Sequence, residues 1–358
     1  MRGGRACAVV LVAALGAVTG LASEAVAQPG VVAPARACGW QLDTWLALPP
    51  GYTGAFVGAT DGADRFVGTA TNSAAVDDFR AVVWRAGQVV PLPAPAGSSS
   101  FAMGTNRRGD VVGVVFEAGG GFHGPNRPVL WRGGRMIELA TPKGAAEASA
   151  RDINDAGLIV GDSVDQAGEH QALVWSERAP ARVRQVSAPG RLVSIPAVTE
   201  NGVLAGMGVS TGEPATRTIA VAGTVAAGLR VLPDLHPGDF SSVFAANGSY
   251  LAGVALAPTG GGASAVLWHN AVPRALSTGP AEALAVNSHG AATGNRLSDF
   301  HPLVWDAGQE RELPLVRSGQ PLLSGLGQAI TQDGRTIGGV VVTAADSPDD
   351  QPVLWHCR

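Results

Sequence analysis

Acidic side chains and a histidine that could bind a ligand or transfer protons lie in a few short segments of the chain. They are Asp77, Asp78, Asp162, Asp165, Glu169, Asp299 and His301. An acid and a base within reach of one substrate atom support proton transfer, whereas the same groups on a rigid frame can bind a polar partner. Either use requires the fold to bring these segments to one face.

Two further patterns look like functional motifs but lack the context that each motif needs. Gly208 to Gly212 satisfies the G-x-S-x-G pattern of a hydrolase nucleophile, but no helix is predicted after it. Asp152 to Gly157 begins like a calcium loop, but Ala156 occupies a ligand position and no glutamate ends the loop. The seven histidines do not have the spacing of a zinc site. We therefore predict no catalytic nucleophile, no metal site and no cofactor.

The elements that must position these residues repeat along the chain. Six of the eight tryptophans end a short apolar run, namely Trp84, Trp131, Trp175, Trp268, Trp305 and Trp355. A degenerate copy, Ile219 to Val221, stands where a further tryptophan is missing, which makes seven units of roughly 46 residues. We expect each tryptophan to be a core residue wedged between neighbouring units.

A turn followed by a short strand keeps step with the tryptophans. The clearest copies run from Asn106 to Gly113, from Asn154 to Gly161 and from Asn287 to Gly294. Looser copies end at Gly68, Gly206, Gly253 and Gly338. Asparagine suits the start of a turn because its side chain can bond the backbone ahead, and the turn glycine can adopt a positive φ. We predict a hairpin in each unit, with its second strand ending at the last glycine.

Four short strands per unit, without helical periodicity, predict an all-β fold, a seven-bladed β-propeller of four-stranded blades. The chain ends at Arg358, before the last unit has a fourth strand, and Trp45 to Pro49 has the sequence of the end of a fourth strand in the other units. We expect the N-terminal segment to complete the last blade. Cys38 and Cys357 then meet where the chain ends join, which predicts a disulfide.

Residues 1 to 27 have the features of a secretory signal peptide, with Arg2 and Arg5 before an apolar stretch and a small-x-small cleavage site before Gln28. Residues 28 to 37 are a short linker, and residues 38 to 358 form a single propeller domain. No later segment approaches the roughly 20 apolar residues of a membrane span. The net charge is -4 and Lys143 is the only lysine, so no basic patch indicates nucleic acid. We expect a secreted monomer.

The third unit resembles the HAF-type extracellular repeat. Asp152 to Ser163 and then Gln171 to Trp175 are similar to its pattern, roughly AINxxGxVVGxS and then HAFLW, and His301 to Trp305 is similar to the second half. As a pattern, the resemblance covers nearly all of residues 38 to 358, closely in the third unit and partly in the second and sixth. It implies a secreted bacterial repeat protein with a propeller-like fold, and it implies little about activity.

The residue four positions before each repeated tryptophan, or before Val221 in the degenerate copy, is polar in every unit. The set is Arg80, Arg127, Gln171, Arg217, Ser264, His301 and Gln351. A ring of such groups could line a pore and bind an anionic ligand. Each could instead bond the backbone of the neighbouring blade, because buried polar groups are normally paired. The sequence leaves both interpretations open.

The acidic segments fall in loops between second and third strands, which in an up-and-down blade share one face with the connections between blades. We predict a non-catalytic binding or scaffold module that recognises a cell-wall, glycan or protein partner through this face and through Arg80, Arg127 and Arg217. The alternative is a carbohydrate-active lyase or hydrolase with His301, Glu169 or His170 as the base. The acidic rim could also serve only to keep the protein soluble.

Overall fold

The computed structural model describes residues 39–75, 77–118, 125–210, 217–258, 260–317, 319–343 and 350–358. Within these ranges the regular secondary structure consists of β-strands. No helix long and apolar enough to cross a membrane is found there. The predicted signal peptide, the linker and Cys38 lie outside the described residues.

The strands follow one another in antiparallel groups of four. The first strand is β1 (Trp40–Trp45), and the groups after it are β2–β5 (Gly54–Thr60, Arg65–Thr71, Phe79–Arg85, Gln88–Pro91), β6–β9 (Ser98–Thr105, Val111–Glu117, Arg127–Arg132, Arg135–Glu138) and β10–β13 (Ala145–Ile153, Leu158–Asp165, His170–Ser176, Val183–Val186). Next come β14–β17 (Arg191–Val198, Leu204–Val209, Thr218–Thr224, Gly228–Val231), β18–β21 (Phe240–Asn247, Tyr250–Leu256, Ala263–His269, Val272–Ala275) and β22–β25 (Ala281–Val286, Ala292–Arg296, His301–Asp306, Gln309–Glu312). The chain ends with the small hairpin β26–β27 (Val316–Arg317, Gln320–Pro321) and with β28–β30 (Ser324–Ile330, Thr336–Val342, Gln351–Cys357).

We name each sheet by its first strand, from the β2 sheet to the β28 sheet. One residue pair, His170 opposite Leu192, joins the β10 and β14 sheets into a continuous sheet of eight strands. Each first strand packs on the preceding sheet: β6 on β2–β4, β10 on β6–β8, β14 on β10–β12, β18 on β14–β16, β22 on β18–β20, β28 on β22–β24, and β2 on β28–β30. The last sheet therefore contacts the first.

The first described strand completes the last sheet. β1 runs antiparallel to β30, with Trp40 opposite Cys357. Beyond this pair, Gly39 and Arg358 exchange two backbone hydrogen bonds of 3.0 and 3.1 Å. Asp43 lies at a register shift in β1, and its carboxylate is 2.5 Å from His356 Nδ1 and accepts a hydrogen bond from Arg358 Nη2 at 2.6 Å. The predicted pairing of the N-terminal segment with the last strand is confirmed.

The six repeated tryptophans are core residues, each at most 2% exposed. Five of them donate the indole N–H, over 2.6 to 2.9 Å, to a backbone carbonyl near the end of the preceding sheet: Trp84 to Ala47, Trp131 to Pro93, Trp175 to Ala140, Trp268 to Pro233, and Trp355 to Pro314. Trp305 donates instead to the Glu310 carboxylate at 2.9 Å. A buried indole is stable when its N–H has a partner, so these bonds also tie neighbouring sheets together. The predicted wedge between units is confirmed.

The predicted turns are present. All seven turn glycines have φ between 59° and 84°, namely Gly62, Gly109, Gly157, Gly202, Gly248, Gly290 and Gly334. Asn154 Oδ1 accepts the Leu158 N–H at 2.9 Å within its own turn, and its Nδ2 donates to the Thr199 carbonyl of the next sheet at 2.9 Å. Asn106 and Asn287 make the corresponding bonds to their next sheets, both at 3.2 Å. The asparagine thus closes a turn and links two sheets.

The glycine that ends each motif lies inside the second strand and not at its end, so this prediction is wrong. Gly161, for example, is followed by four more residues of β11. A Cβ at Gly161 would lie 1.9 Å from the Ser149 carbonyl oxygen of the first strand. The corresponding separations are 1.9 to 2.1 Å at Gly68, Gly113, Gly206, Gly253, Gly294 and, in the last sheet, Gly339 rather than Gly338.

A β-bulge in the first strand explains these glycines. The pairing register of every first strand shifts at this level, at Gly58, Met103, Arg151, 195–196, Phe244, Leu284 and Gln328. A bulge bends its strand and brings backbone unusually close to the partner, where only glycine fits. The second strand therefore continues past its glycine, and the residues after that glycine are strand residues.

Candidate functional site

The structure moves one predicted site residue out of the loops. Asp162 lies in β11, is 4% exposed, and accepts hydrogen bonds from Arg151 Nε at 3.2 Å and from Ser194 Oγ at 2.8 Å. Its predicted loop position was wrong because β11 continues beyond Gly161. Asp162 is a buried link between the β10 and β14 sheets.

Most of the other predicted acids bond within their own surroundings. Asp78 accepts a hydrogen bond from the Tyr52 hydroxyl at 3.0 Å. Asp165 accepts two backbone N–H groups of its own turn, at 2.8 and 3.0 Å. Asp299 pairs with Arg296 at 2.8 Å, and the hydrogen bond from this arginine lowers the pKa of Asp299. Each of these carboxylates therefore has a partner in or beside its own loop.

The candidate bases belong to separate sheets. Glu169 is exposed just before β12, His170 begins β12, and His301 begins β24. The β14 and β18 sheets come between them in the order of packing. His301 Nε2 lies 3.1 Å from the Leu313 carbonyl oxygen, so its ring has a structural partner. Asp77, in the loop before β4, has a positive φ of 57°.

The polar residues at the starts of the third strands bond groups close to them in the described part of the chain. Arg127 Nη1 donates to Glu138 at 3.1 Å, and Arg217 Nη1 donates to Asp234 at 3.0 Å. Arg80 Nε donates to the Tyr52 hydroxyl at 3.4 Å, and Gln351 Nε2 donates to the backbone carbonyl that precedes β2 at 3.0 Å. Gln351 and, through the Asp239 carbonyl, Arg217 bond backbone just before the first strand of the next sheet, as the second interpretation expects. Arg127 instead bonds within its own sheet.

A narrow channel runs between the first strands. Its volume is about 170 Å³, and β2, β6, β10, β14, β18, β22 and β28 all contribute to its wall together with the turns that follow them. Bulge residues line it, namely Gly58, Met103, Pro196, Phe244, Leu284 and Gln328. These side chains differ from sheet to sheet, so the repeat does not dictate the chemistry of the channel.

Asp152 interrupts an otherwise uniform ring in this channel. The residue directly after the bulge is Ala59, Gly104, Asp152, Ala197, Ala245, Ala285 or Ala329 in the successive sheets. All of these except Gly104 are lining residues of the channel. Only one of these seven positions carries a charge. The preceding sheet makes room for it, because a Cβ at Gly104 would lie 2.9 Å from Asp152 Oδ1 and 2.7 Å from its Cα.

The Asp152 carboxylate is held by backbone. Oδ1 accepts the N–H of Ile153 at 2.8 Å, and Oδ2 accepts the N–H of Val198 on the neighbouring sheet at 2.9 Å. Burial raises the pKa of Asp152 to about 7, against these two bonds, and the negative charge of Glu200 adds to the rise. A perturbed acid in a cavity is a candidate functional group.

The turn-side mouth of the channel carries further charge. Asp155 pairs with Arg107 at 3.4 Å, and Glu200 accepts the Asp155 N–H at 2.9 Å. Burial raises the pKa of Glu200. Gln328 also lines the channel, and its Oε1 is buried without a hydrogen-bond partner among the described residues. The lining thus offers several acceptors to an incoming group.

Sequence reasoning missed this site, because it interpreted Asp152 only as the first residue of a turn. The signal was available in the seven aligned units, where alanine or glycine stands at the other six positions.

Among the described residues no three His, Cys, Asp or Glu side chains are grouped to hold a metal ion. A second cavity, of about 320 Å³, lies at the seam of the first and last sheets against Trp84, Leu354 and His356.

Comparison with known proteins shows the fold. No protein-family model and no curated protein matches this chain. Among solved structures, oligogalacturonate lyase from Vibrio parahaemolyticus has a TM-score of 0.56 at 9% identity, over 89% of this chain and 96% of that one. Virginiamycin B lyase from Staphylococcus aureus has a TM-score of 0.51 at 13% identity, over 88% and 99%. The chain has a propeller-like all-β fold.

One longer solved protein contains a propeller-like fold in about half of its chain. A puromycin-hydrolyzing peptidase from Mycobacterium tuberculosis has a TM-score of 0.53 at 14% identity, and the match covers 84% of this chain but 52% of that protein. The propeller-like chain thus spans about half the length of this peptidase. Propeller folds carry many unrelated functions, so function has to be argued from the site.

Proposed function

We propose that this chain is a secreted, seven-bladed β-propeller of the HAF-repeat type that acts as a non-catalytic binding module. Seven first strands with the same bulge, and packing of the last sheet on the first, support the blade count. The signal-like sequence of residues 1 to 27 supports secretion. The expected partner is a cell-wall component, a glycan or a protein.

The lone acid in the channel is the observation that carries this proposal. Asp152 stands where six of seven sheets have alanine or glycine, and a matching Gly104 gives it space. Packing alone does not require a carboxylate there, because the other sheets pack without one. Burying an acid costs stability, so its presence favours a binding role for the channel.

A carbohydrate-active lyase or hydrolase is the second candidate. Asp152 and Glu200 are close enough for the charge of one to raise the pKa of the other, and a pair of such acids is a common arrangement for acid and base catalysis. Against this, a volume of about 170 Å³ is below the usual range of roughly 300 to 1,000 Å³ for ligand pockets. The channel suits a narrow group better than a sugar ring in a reacting position.

A thermal-shift screen with recovery of the ligand tests both candidates. The mature chain is screened against glycans, peptidoglycan fragments and peptides, and each ligand that raises the melting temperature is recovered and weighed. A binding module returns its ligand intact, with a stabilisation of about 2.7 kcal/mol at a hundredfold excess over Kd. A cleaved ligand contradicts the proposal and favours the enzyme.

Matched variants locate the response. D152A introduces the alanine that five other sheets already carry, so it should fold and lose the ligand-dependent shift. E282Q is the control, because Glu282 is a partly buried acid of β22 whose pKa is raised by burial and which is not among the described residues that line the channel. Equal loss in both variants would indicate a general effect of buried charge rather than a site.

The proposed closure includes a disulfide between Cys38 and Cys357. Trp40 pairs with Cys357, and Gly39 bonds to Arg358, so Cys357 lies beside the first described residues of the chain, which supports this pairing. The mature chain should be two protons lighter by mass than its reduced form. C357S should then lower stability by about 2 to 5 kcal/mol, since the bond closes a very long loop. Two free thiols in the native chain would contradict the closure.

A further inference from the structure

The channel presents oxygen acceptors in a mainly polar wall that also contains a few apolar side chains. Met103, Phe244 and Leu284 supply apolar surface, and Asp152 supplies a carboxylate that accepts one backbone N–H on each oxygen. A carboxylate oxygen can accept more than one bond, so both oxygens retain lone pairs. Gln328 Oε1 adds a buried acceptor that has no partner within the described chain.

The charges around this acid are also negative on balance. Glu200 lies on the neighbouring sheet and Asp155 on its own, and Arg107, the cation at the mouth, is already paired with Asp155 at 3.4 Å. Arg151, next to Asp152 in sequence, bonds to Asp162 and does not neutralise the channel. On the side of the preceding sheet, Gly104 contributes only backbone. A group entering this space gains most if it carries positive charge and N–H donors.

We propose that the channel binds a primary ammonium group on a short aliphatic chain, with Asp152 as its counter-ion. The inference rests on the proposed binding function and specifies the chemistry that the site recognises. An ammonium has three donors for the carboxylate, and its short methylene chain can pack on the side chains of Met103, Phe244 and Leu284. The small volume of about 170 Å³ favours an unbranched chain over a bulky cation.

Calorimetric titration of the mature chain with n-butylammonium at pH 7 tests the inference, with 1-butanol as the neutral probe of equal length. We expect saturable binding of the ammonium, much weaker binding of the alcohol, and at least a tenfold loss of ammonium affinity in D152A and D152N. E282Q should bind as the wild type does. Saturable binding that is unchanged in D152A and D152N, or no saturation in the wild type, would overturn the inference.

Proton release on binding distinguishes a site at Asp152 from non-specific attraction of the cation to surface charges. Because the pKa of Asp152 is about 7, roughly half of these carboxyl groups are protonated at pH 7, and binding of a cation should release about half a proton per site. Titrations in two buffers of different ionisation enthalpy measure this number. Proton release that persists unchanged in D152A would show that Asp152 is not the counter-ion.

Two probes distinguish the sources of the ammonium group. Binding of both n-butylammonium and Nα-acetyl-lysine methylamide would support recognition of the group itself, whether free or on a protein. Binding of the lysine derivative alone would assign the channel to a protein partner, and binding of n-butylammonium alone to a small amine. A ligand from the thermal-shift screen that stabilises D152A as much as the wild type would overturn this inference while leaving the binding function intact.

Discussion

The third strands and the first strands of the sheets differ in how faithfully they repeat. The third strands carry a tryptophan that is at most 2% exposed in six sheets, and five of these indoles bond the preceding sheet in the same way. The bulges of the first strands carry glycine, methionine, arginine, phenylalanine, leucine and glutamine. Repetition marks the packing between sheets, and variation marks the channel.

The difference has a physical cause. A side chain between two sheets meets the same kind of surface in every repeat, so one solution serves throughout. Six of the seven bulges place a residue at a space shared by all the sheets, where a change in one sheet leaves the other walls intact. Asp152 is the clearest case, because its neighbours in the ring are alanine or glycine.

The largest effect is expected where the bulge meets the second strand. In G161A the new Cβ would lie 1.9 Å from the Ser149 carbonyl oxygen, so backbone must move. We expect a loss of about 3 kcal/mol or more, or failure to fold, as measured by urea denaturation. The control is G279A, where nothing lies within 4 Å of the new Cβ. Equal stability of G161A and G279A would show that the bulge does not require glycine.

The repeated scaffold could be predicted from sequence because its signals are local. The turn asparagines, the positive φ of the turn glycines and the buried tryptophans each depend on residues within one unit or on its nearest neighbour. Pairing of the N-terminal segment with the last strand followed from counting strands in the last unit.

The candidate site could not be predicted in the same way, because it depends on register. A bulge shifts a strand by one residue, and nothing in a single unit reveals the shift. The glycine opposite the bulge was therefore interpreted as a strand end, which placed Asp162 in a loop and left Asp152 in a turn. In the structure Asp162 is buried in β11 and Asp152 lines the channel.

A pair of tryptophan variants sharpens the account of the scaffold. W175F removes a donor from the Ala140 carbonyl, whereas W305F removes one from the Glu310 carboxylate, which is on an exposed residue that water can solvate. Both variants lose buried ring area, so we expect a loss of about 2 kcal/mol in W305F and about 3 kcal/mol in W175F. Denaturant unfolding measures the difference. A larger loss in W305F would contradict the role of the inter-sheet bond.

A smaller effect, of about 2 kcal/mol, is expected from the acid that breaks the ring. The pKa of Asp152 is about 7 in the folded chain, above its ordinary value of 3.8, so the folded state holds this proton more tightly than the unfolded state. The stability that this group contributes is fully present below pH 4 and is lost as pH rises through 7. In D152N this dependence disappears.

The measurement is the difference in unfolding free energy between D152N and the wild type from pH 4 to pH 8. This difference should move in favour of D152N as pH rises and level off above pH 7. Because water reaches the carboxyl through the channel, we expect a total change of about 2 kcal/mol, rather than the roughly 4 kcal/mol that the full pKa shift would give without water. E282Q run in parallel reports the contribution of a partly buried acid away from the channel lining. If the difference in unfolding free energy between D152N and the wild type does not change with pH, the carboxyl is solvated like a surface acid. The contrast between a uniform scaffold and one destabilising charge in the channel would then no longer hold.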